Sequence, residues 1–147
     1  MGYLSALDIG ASALSAQRLR MDTISQNIAN ANTTRTENGT PYRRKVVLFE
    51  ERSSSVPFSE YLNQSSKERL TGSGVRVAKI TEDAAPFKKV YDPGHPDADQ
   101  TGYVEMPNVD VITEMVNMIS ATRAYEANVT SINSTKSMAM KALEIGR

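Results

Sequence analysis

The stretch that decides the fold is the last one, PNVDVITEMVNMISATRAYEANVTSINSTKSMAMKALEIGR, residues 107–147. Val111, Met118, Tyr125, Ile132 and Ala139 recur in it at a spacing of seven, flanked by Met115, Val129 and Leu143. A sustained seven-residue apolar period marks a helix whose stripe stays against one neighbour along its length. Pro107-Asn108 supplies the start, Asp110 and Glu114 lie in the first turn, Lys136, Lys141 and Arg147 lie toward the end, and Gly146 stands at the stop. That order of charge complements the helix dipole. About 35 residues at 1.5 Å each make a rod roughly 50 Å long.

The beginning of the chain repeats the pattern. Leu7, Leu14, Met21 and Ile28 are again seven apart, with Leu4, Ala11, Ile24 and Ala31 filling alternate turns. The spacing predicts a helix over about residues 3–30, roughly 40 Å long. Asn27, Asn30 and Asn32 end it, because their short amides compete with the backbone and favour caps and turns. Gly10 costs this helix about 1 kcal/mol relative to Ala. Between the helices, Arg43–Glu51, Val75–Thr81, Phe87–Tyr91 and Gly102–Met106 read as strands, runs of β-branched and aromatic residues bounded by Gly and Pro. Ser53–Ser66 reads as loop with a short helix at Phe58–Asn63.

The expected fold is therefore mainly α with a small β insert, an α+β chain. Its long N- and C-terminal helices form a coiled-coil core and a short-stranded β domain sits between them. Three parts follow: 1–40, the N-terminal helix and exit loop; 41–106, the β-rich insert with a Ser-rich loop at 52–70; and 107–147, the C-terminal helix. Charge divides the chain slightly differently, with formal balances of 0 over residues 1–40, +3 over 41–96 and −3 over 97–147.

Composition closes off several classes of function. Lys plus Arg equals Asp plus Glu at 17 each, so there is no electrostatic footprint for nucleic acid or for an anionic membrane. With no Cys and one His, thiol catalysis, disulfides and multi-His metal sites drop out. Leu, Ile, Val and Phe make up about a fifth of the chain, which allows only a thin core. The order of the long helices is then expected to depend on packing against other subunits. No segment has the roughly 18 apolar residues of a membrane span, and Asp8, Arg18 and Arg20 interrupt any secretory h-region. Met1-Gly2 fails as a myristoylation motif because Ala6 stands where Ser or Thr is needed.

The heptads have a bland reading, two amphipathic helices of an ordinary bundle. Composition favours the other one. Only Asp8, Arg18, Arg20 and Asp22 are charged in residues 1–33, so the face away from the seam is Ser, Thr, Asn, Gln and Ala. A solvated coiled coil carries Glu and Lys there, whereas a neutral face of small residues suits contact with further subunits. The candidate interface residues are the seams themselves: Leu7, Leu14, Met21, Ile28, Val111, Met118, Tyr125, Ile132 and Ala139.

Other motifs carry less. In DPGHPDAD (92–99), running on to Gly102, Asp97, Asp99, Thr101 and Gly102 follow the start of a calcium loop. Asn108 occupies the position of the bidentate Glu, however, and Pro93 and Pro96 deny an entering helix, so the segment reads as a rigid turn. His95 alone is a weak pH-sensor candidate. Arg43-Arg44-Lys45, beside Tyr42 and next to Glu50 and Glu51, reads as a solvated strand edge before it reads as a phosphate contact. No nucleophile motif, phosphate loop or dinucleotide fingerprint is present, so neither an enzyme nor a cofactor is expected.

SALSAQRLRMDTISQNIANANTTRT (12–36) resembles the opening motif of bacterial flagellar axial proteins, and YRRKVVLFE (42–50) follows it in the expected place. DPGHPDAD and GYVEMPNVDVITEMVNMISATRAYEANV (102–129) are similar to proximal members of the flagellar basal-body rod protein family. The resemblance implies a structural rod subunit in the periplasm, exported through the flagellar type III apparatus without a cleavable signal. It also implies that the terminal helices pack in the inner core and the β insert faces outward. The implied partners are copies of itself, other rod proteins of the FlgB, FlgF, FlgG and FliE types, and the export apparatus, with no nucleic acid, small-molecule substrate or membrane insertion. A soluble coiled-coil adaptor that does not polymerise is the competing reading.

Overall fold

A computed structural model describes residues 3–52 and 73–145. Helix α1 (Tyr3–Ala29) is followed by strands β1 (Lys45–Glu51), β2 (Val75–Glu82), β3 (Lys88–Tyr91) and β4 (Tyr103–Met106), and helix α2 (Val111–Ile145) closes the chain. The α+β architecture expected from the heptads is present, and each strand begins and ends within two residues of its sequence reading. The Ser-rich loop and the short helix expected at Phe58–Asn63 lie outside the described residues.

The two helices run antiparallel. Gly10 meets Ile132, Met21 meets Thr122 and Asn27 meets Glu114, so positions advance on α1 as they recede on α2. Gly10 explains itself here: a Cβ added to it would stand 2.7 Å from Cγ1 of Ile132. The helix accepts the propensity cost of glycine because any side chain would push the helices apart at this level.

Strands β1 and β2 pair antiparallel with a bulge after Leu48, and β3 and β4 pair as a second two-stranded sheet. The insert is thus two hairpins and not one sheet. Helix α1 crosses the first of them diagonally. Near its start, Ser12 Oγ accepts a hydrogen bond from the Val75 N–H on the outer edge of β2, and at its end Asn27 reaches the outer edge of β1. Gly74 lets the chain pass beneath α1. Its φ is +104°, and a Cβ there would overlap Ser12 Oγ and stand 3.4 Å from Ile9 Cα. A two-stranded ribbon is marginal alone, so the helix is what stabilises it.

Asp110 caps α2. Its carboxylate accepts the Thr113 hydroxyl at 2.6 Å while its carbonyl accepts the Glu114 N–H at 2.9 Å. Toward the other end α2 carries Lys136 and Lys141, and its last described turn has no basic side chain.

Candidate functional site

The seam expected from the sequence is only half of the one that forms. Leu7, Leu14, Met21 and Ile28 on α1, and Met118, Tyr125, Ile132 and Ala139 on α2, are all half-buried, with Ile132 against Gly10 and Met21 beside Thr122. Val111, at the start of α2, is 39% exposed and lies outside that set. The alternate turns are the correction. On α1, Gly10, Gln17 and Ile24 turn inward, as does Ala31 just beyond its end, whereas Leu4 and Ala11 are exposed. On α2, Glu114, Ala121, Asn128 and Thr135 take the inward positions, whereas Met115 and Leu143 are exposed. Small residues win because the helices approach closely: Ala121 is 0% exposed where a larger side chain would have to displace α1.

A buried polar junction closes the seam where the end of α1, the hairpin and the start of α2 converge. Asn27 and Glu114 are each 1% exposed. One Glu114 oxygen accepts from Arg44 Nε at 2.9 Å, from the second Arg44 nitrogen at 2.8 Å and from Asn117 at 3.2 Å; the other accepts from Asn27 Nδ2 at 2.9 Å. Asn27 also pairs with the backbone of Lys45 in both directions at 2.9 Å, and its Oδ1 accepts the Tyr42 hydroxyl at 3.0 Å. Arg44 reaches Asp83 at 3.3 Å, and its N–H donates to Asn108 Oδ1 at 2.8 Å. Every member is satisfied, which is the condition under which a buried ionic network is tolerated.

Sequence reading gave Asn27 to a helix end, Glu114 to a helix dipole and Arg44 to a solvated edge, so it missed the junction. Glu114 alone carried a signal, a carboxylate seven residues before Ala121 on what proves to be the inward stripe. Arg44 is three-quarters buried in its side chain and bound to Glu114, so the solvated-edge reading is wrong for it.

The junction makes stability depend on pH. The Ala85 N–H, and then Arg44, hold the Asp83 carboxyl below the usual carboxylate range, and the Thr113 hydroxyl does the same for Asp110. Groups lowered in the fold contribute stability above their unfolded value and lose it as pH falls through the folded one. Burial, with the Glu114 and Glu82 charges, raises the Tyr42 phenol, so its contribution is present below its unfolded value and is lost on the alkaline side. Thermal melts should hold steady from about pH 5 to 9, fall below about pH 4 and fall again above about pH 10. Asp83→Asn should flatten the acid limb and Tyr42→Phe the alkaline one.

The 92–99 turn is held to the loop after α1. Asp97 accepts the Thr34 hydroxyl at 2.8 Å and lies 3.8 Å from Arg35, and Asp99 accepts the Gln100 N–H at 2.7 Å. These bonds commit the carboxylates singled out for calcium to the turn itself. His95 Nδ1 accepts the Asp97 N–H at 3.1 Å, a further turn contact.

The outside of the helix pair carries what the inside lacks. Ile112, Met115, Val116 and Ile119 form one exposed apolar stripe on the first half of α2, with Ile112 70% and Val116 61% exposed. At its far end Met138 and Ile145 are exposed on one face and Met140 and Leu143 on the other, and the antiparallel register brings exposed Leu4 level with Met138. Exposed Ser, Thr, Asn and charged residues separate the first stripe from these far-end residues. Apolar groups of this size left in water mark surfaces that other protein covers.

Residues 7–35 match the family model described as flagella basal body rod protein, and residues 100–145 match that of the flagellar basal body rod FlgEFG protein C-terminal region. These segments hold α1 with its exit turn, and β4 with α2. The chain is 54% identical to the flagellar basal-body rod protein FlgC of Bacillus subtilis over 152 aligned residues, covering 100% of both. It is 50% identical to that of Borreliella burgdorferi, covering 99% of this chain and 98% of the relative, and 44% identical to that of Salmonella typhimurium, covering 100% of both.

Proposed function

The chain belongs to the flagellar basal-body rod protein family, and from that premise we propose that it is a subunit of the proximal rod, polymerising through its terminal helices into the hollow shaft that transmits torque and surrounds the export channel. Membership makes it a structural subunit of the rod, associated with other basal-body components. The finer reading adds a periplasmic position, export through the flagellum's own apparatus without a cleavable leader, direct neighbours among the other rod proteins and itself, and no catalytic role.

The observation that supports it is the exposed apolar face of α2. Ile112, Met115, Val116 and Ile119 lie outside the intramolecular seam, so that seam leaves them for a second protein. The eight half-buried seam residues, Val111 excepted, are proposed to act one step back, holding α1 and α2 in the register that presents those faces. An adaptor that never polymerises needs one covered face, whereas a rod subunit meets neighbours on several, which suits exposed apolar residues at both ends of α2. Deletion of the coding sequence should leave cells non-motile and without rods, and purified wild-type basal bodies should contain the chain. A swimming deletion strain, or basal bodies that lack the chain, would overturn the reading.

A further inference from the structure

Strand β1 is paired on one side only. The register places Arg44, Val46 and Leu48 in hydrogen-bonded pairs with β2, as the Asp83 N–H to Arg44 carbonyl bond of 2.8 Å shows. By the alternation of an antiparallel ladder, the N–H and C=O of Lys45 and Val47 point to the opposite edge. At Lys45 both groups are taken by the Asn27 amide, which accepts with Oδ1 and donates with Nδ2 at 2.9 Å each. Asn27 thus substitutes for one peptide unit of a missing strand. At Val47, among the described residues, nothing does so.

Val47 is half-buried, and it borders a cleft of about 260 Å³ lined by Arg20, Thr23 and Ile24 of α1, Phe49 of β1 and Asn117 of α2. Arg20 is half-buried too, and among the described residues it has neither an ion pair nor a hydrogen bond. Glu114, the carboxylate in this cleft, is engaged by Arg44, Asn27 and Asn117, and its ion pair is with Arg44 and not with Arg20. An unpaired strand edge and an unpaired cation therefore face one space.

We propose that this cleft receives an extended, carboxylate-bearing peptide segment of a neighbouring rod subunit, which pairs with Val47 as Asn27 pairs with Lys45 and places an Asp or Glu on Arg20. A free anion satisfies Arg20 and the Val47 N–H but leaves the Val47 carbonyl unpaired, whereas a peptide unit supplies donor and acceptor together. The segment continues the edge that the molecule has itself begun to cover.

This inference rests on the rod reading, and its test separates the two. Val47→Pro removes the outward N–H without removing a β1–β2 bond, because proline is tolerated where the strand N–H faces away from its partner. The purified Val47→Pro monomer should melt within a few degrees of wild type while its recovery in basal bodies falls at least tenfold, and Arg20→Glu should behave alike. In the wild-type chain, the Val47 amide should exchange at least a hundredfold more slowly in basal bodies than in the monomer. Wild-type recovery of Val47→Pro, or equally fast Val47 exchange in both states, overturns the inference while wild-type chain in the same basal bodies keeps the rod reading. Loss of assembly with Arg20→Glu alone, with Val47 unprotected, marks an anion contact and also overturns it. If Val47→Pro fails to fold, the exchange comparison decides. Wild-type basal bodies without the chain overturn both readings.

Discussion

Glu114→Ala is expected to lower the unfolding free energy of the isolated chain by about 3–5 kcal/mol, the usual cost of breaking a buried ion pair from one side. The carboxylate accepts four hydrogen bonds from three side chains, with both oxygens in use. Its loss leaves the Arg44 guanidinium with only Asp83 and leaves one Asn27 donor with the Lys45 carbonyl alone. Small domains are stable by about 5–15 kcal/mol in total, and a chain with so thin a core belongs near the lower end. Urea titration should therefore show most of the stability gone. Glu114→Gln should fall between Ala and wild type. Its carbonyl can still accept from Arg44, but its NH2 then faces the Asn27 NH2, and Asn27 cannot turn over without giving up Lys45 and Tyr42. If Glu114→Ala melted within two degrees of wild type, the junction would not be what joins α1, the hairpin and α2.

Val116→Asp is expected to stop rod assembly while leaving the monomer nearly unchanged. Val116 is 61% exposed, so an Asp there stays in water in the isolated chain and its stability effect should be within about 0.5 kcal/mol. In a covered interface the same change gives up about 1.5–3 kcal/mol of apolar burial and adds the several kcal/mol cost of an unpaired carboxylate. At 1.4 kcal/mol per tenfold, roughly 4 kcal/mol is a thousandfold weaker contact, and a polymer repeats it at every subunit. Ile132→Asp should fail differently, because Ile132 packs on Gly10 inside the seam. It should lose monomer stability as well as assembly, whereas Lys136→Ala, on the exposed side, should be mild. Motility on soft agar and circular dichroism melts of the purified chains separate these outcomes. Swimming Val116→Asp cells would remove the outer stripe from the assembly interface.

The residue patterns of this chain reach the fold class but divide the apolar residues wrongly. A seven-residue period identifies a stripe, and Met118, Tyr125 and Ile132 do lie inward, yet the same rule enlisted Met115, which faces out, and Leu143, which is exposed beyond the start of α1. The rule assumes that the larger apolar residue is the buried one. In a subunit built to be covered again by neighbours that assumption fails, because the close seam takes Gly10, Ala121 and Thr135 and leaves the large side chains for the second layer. The junction was illegible for a related reason. Asn27, Arg44 and Glu114 are far apart in the chain and each has an ordinary local role, as turn former, strand-edge charge or first-turn acid.

What the sequence determined by itself is local and periodic: two long helices from the heptads, four short strands from β-branched runs between Gly and Pro, and the exclusion of thiol and multi-His metal chemistry from composition. Those features follow from backbone propensity and side-chain spacing, which act within a few residues of each other. Tertiary structure decided which face of each helix is inside, that the insert is two hairpins with one laid across α1, and that a carboxylate, a guanidinium and two amides share one buried site. These depend on residues 18 to 87 positions apart meeting at hydrogen-bond distance, and only the packed backbone sets which of them meet.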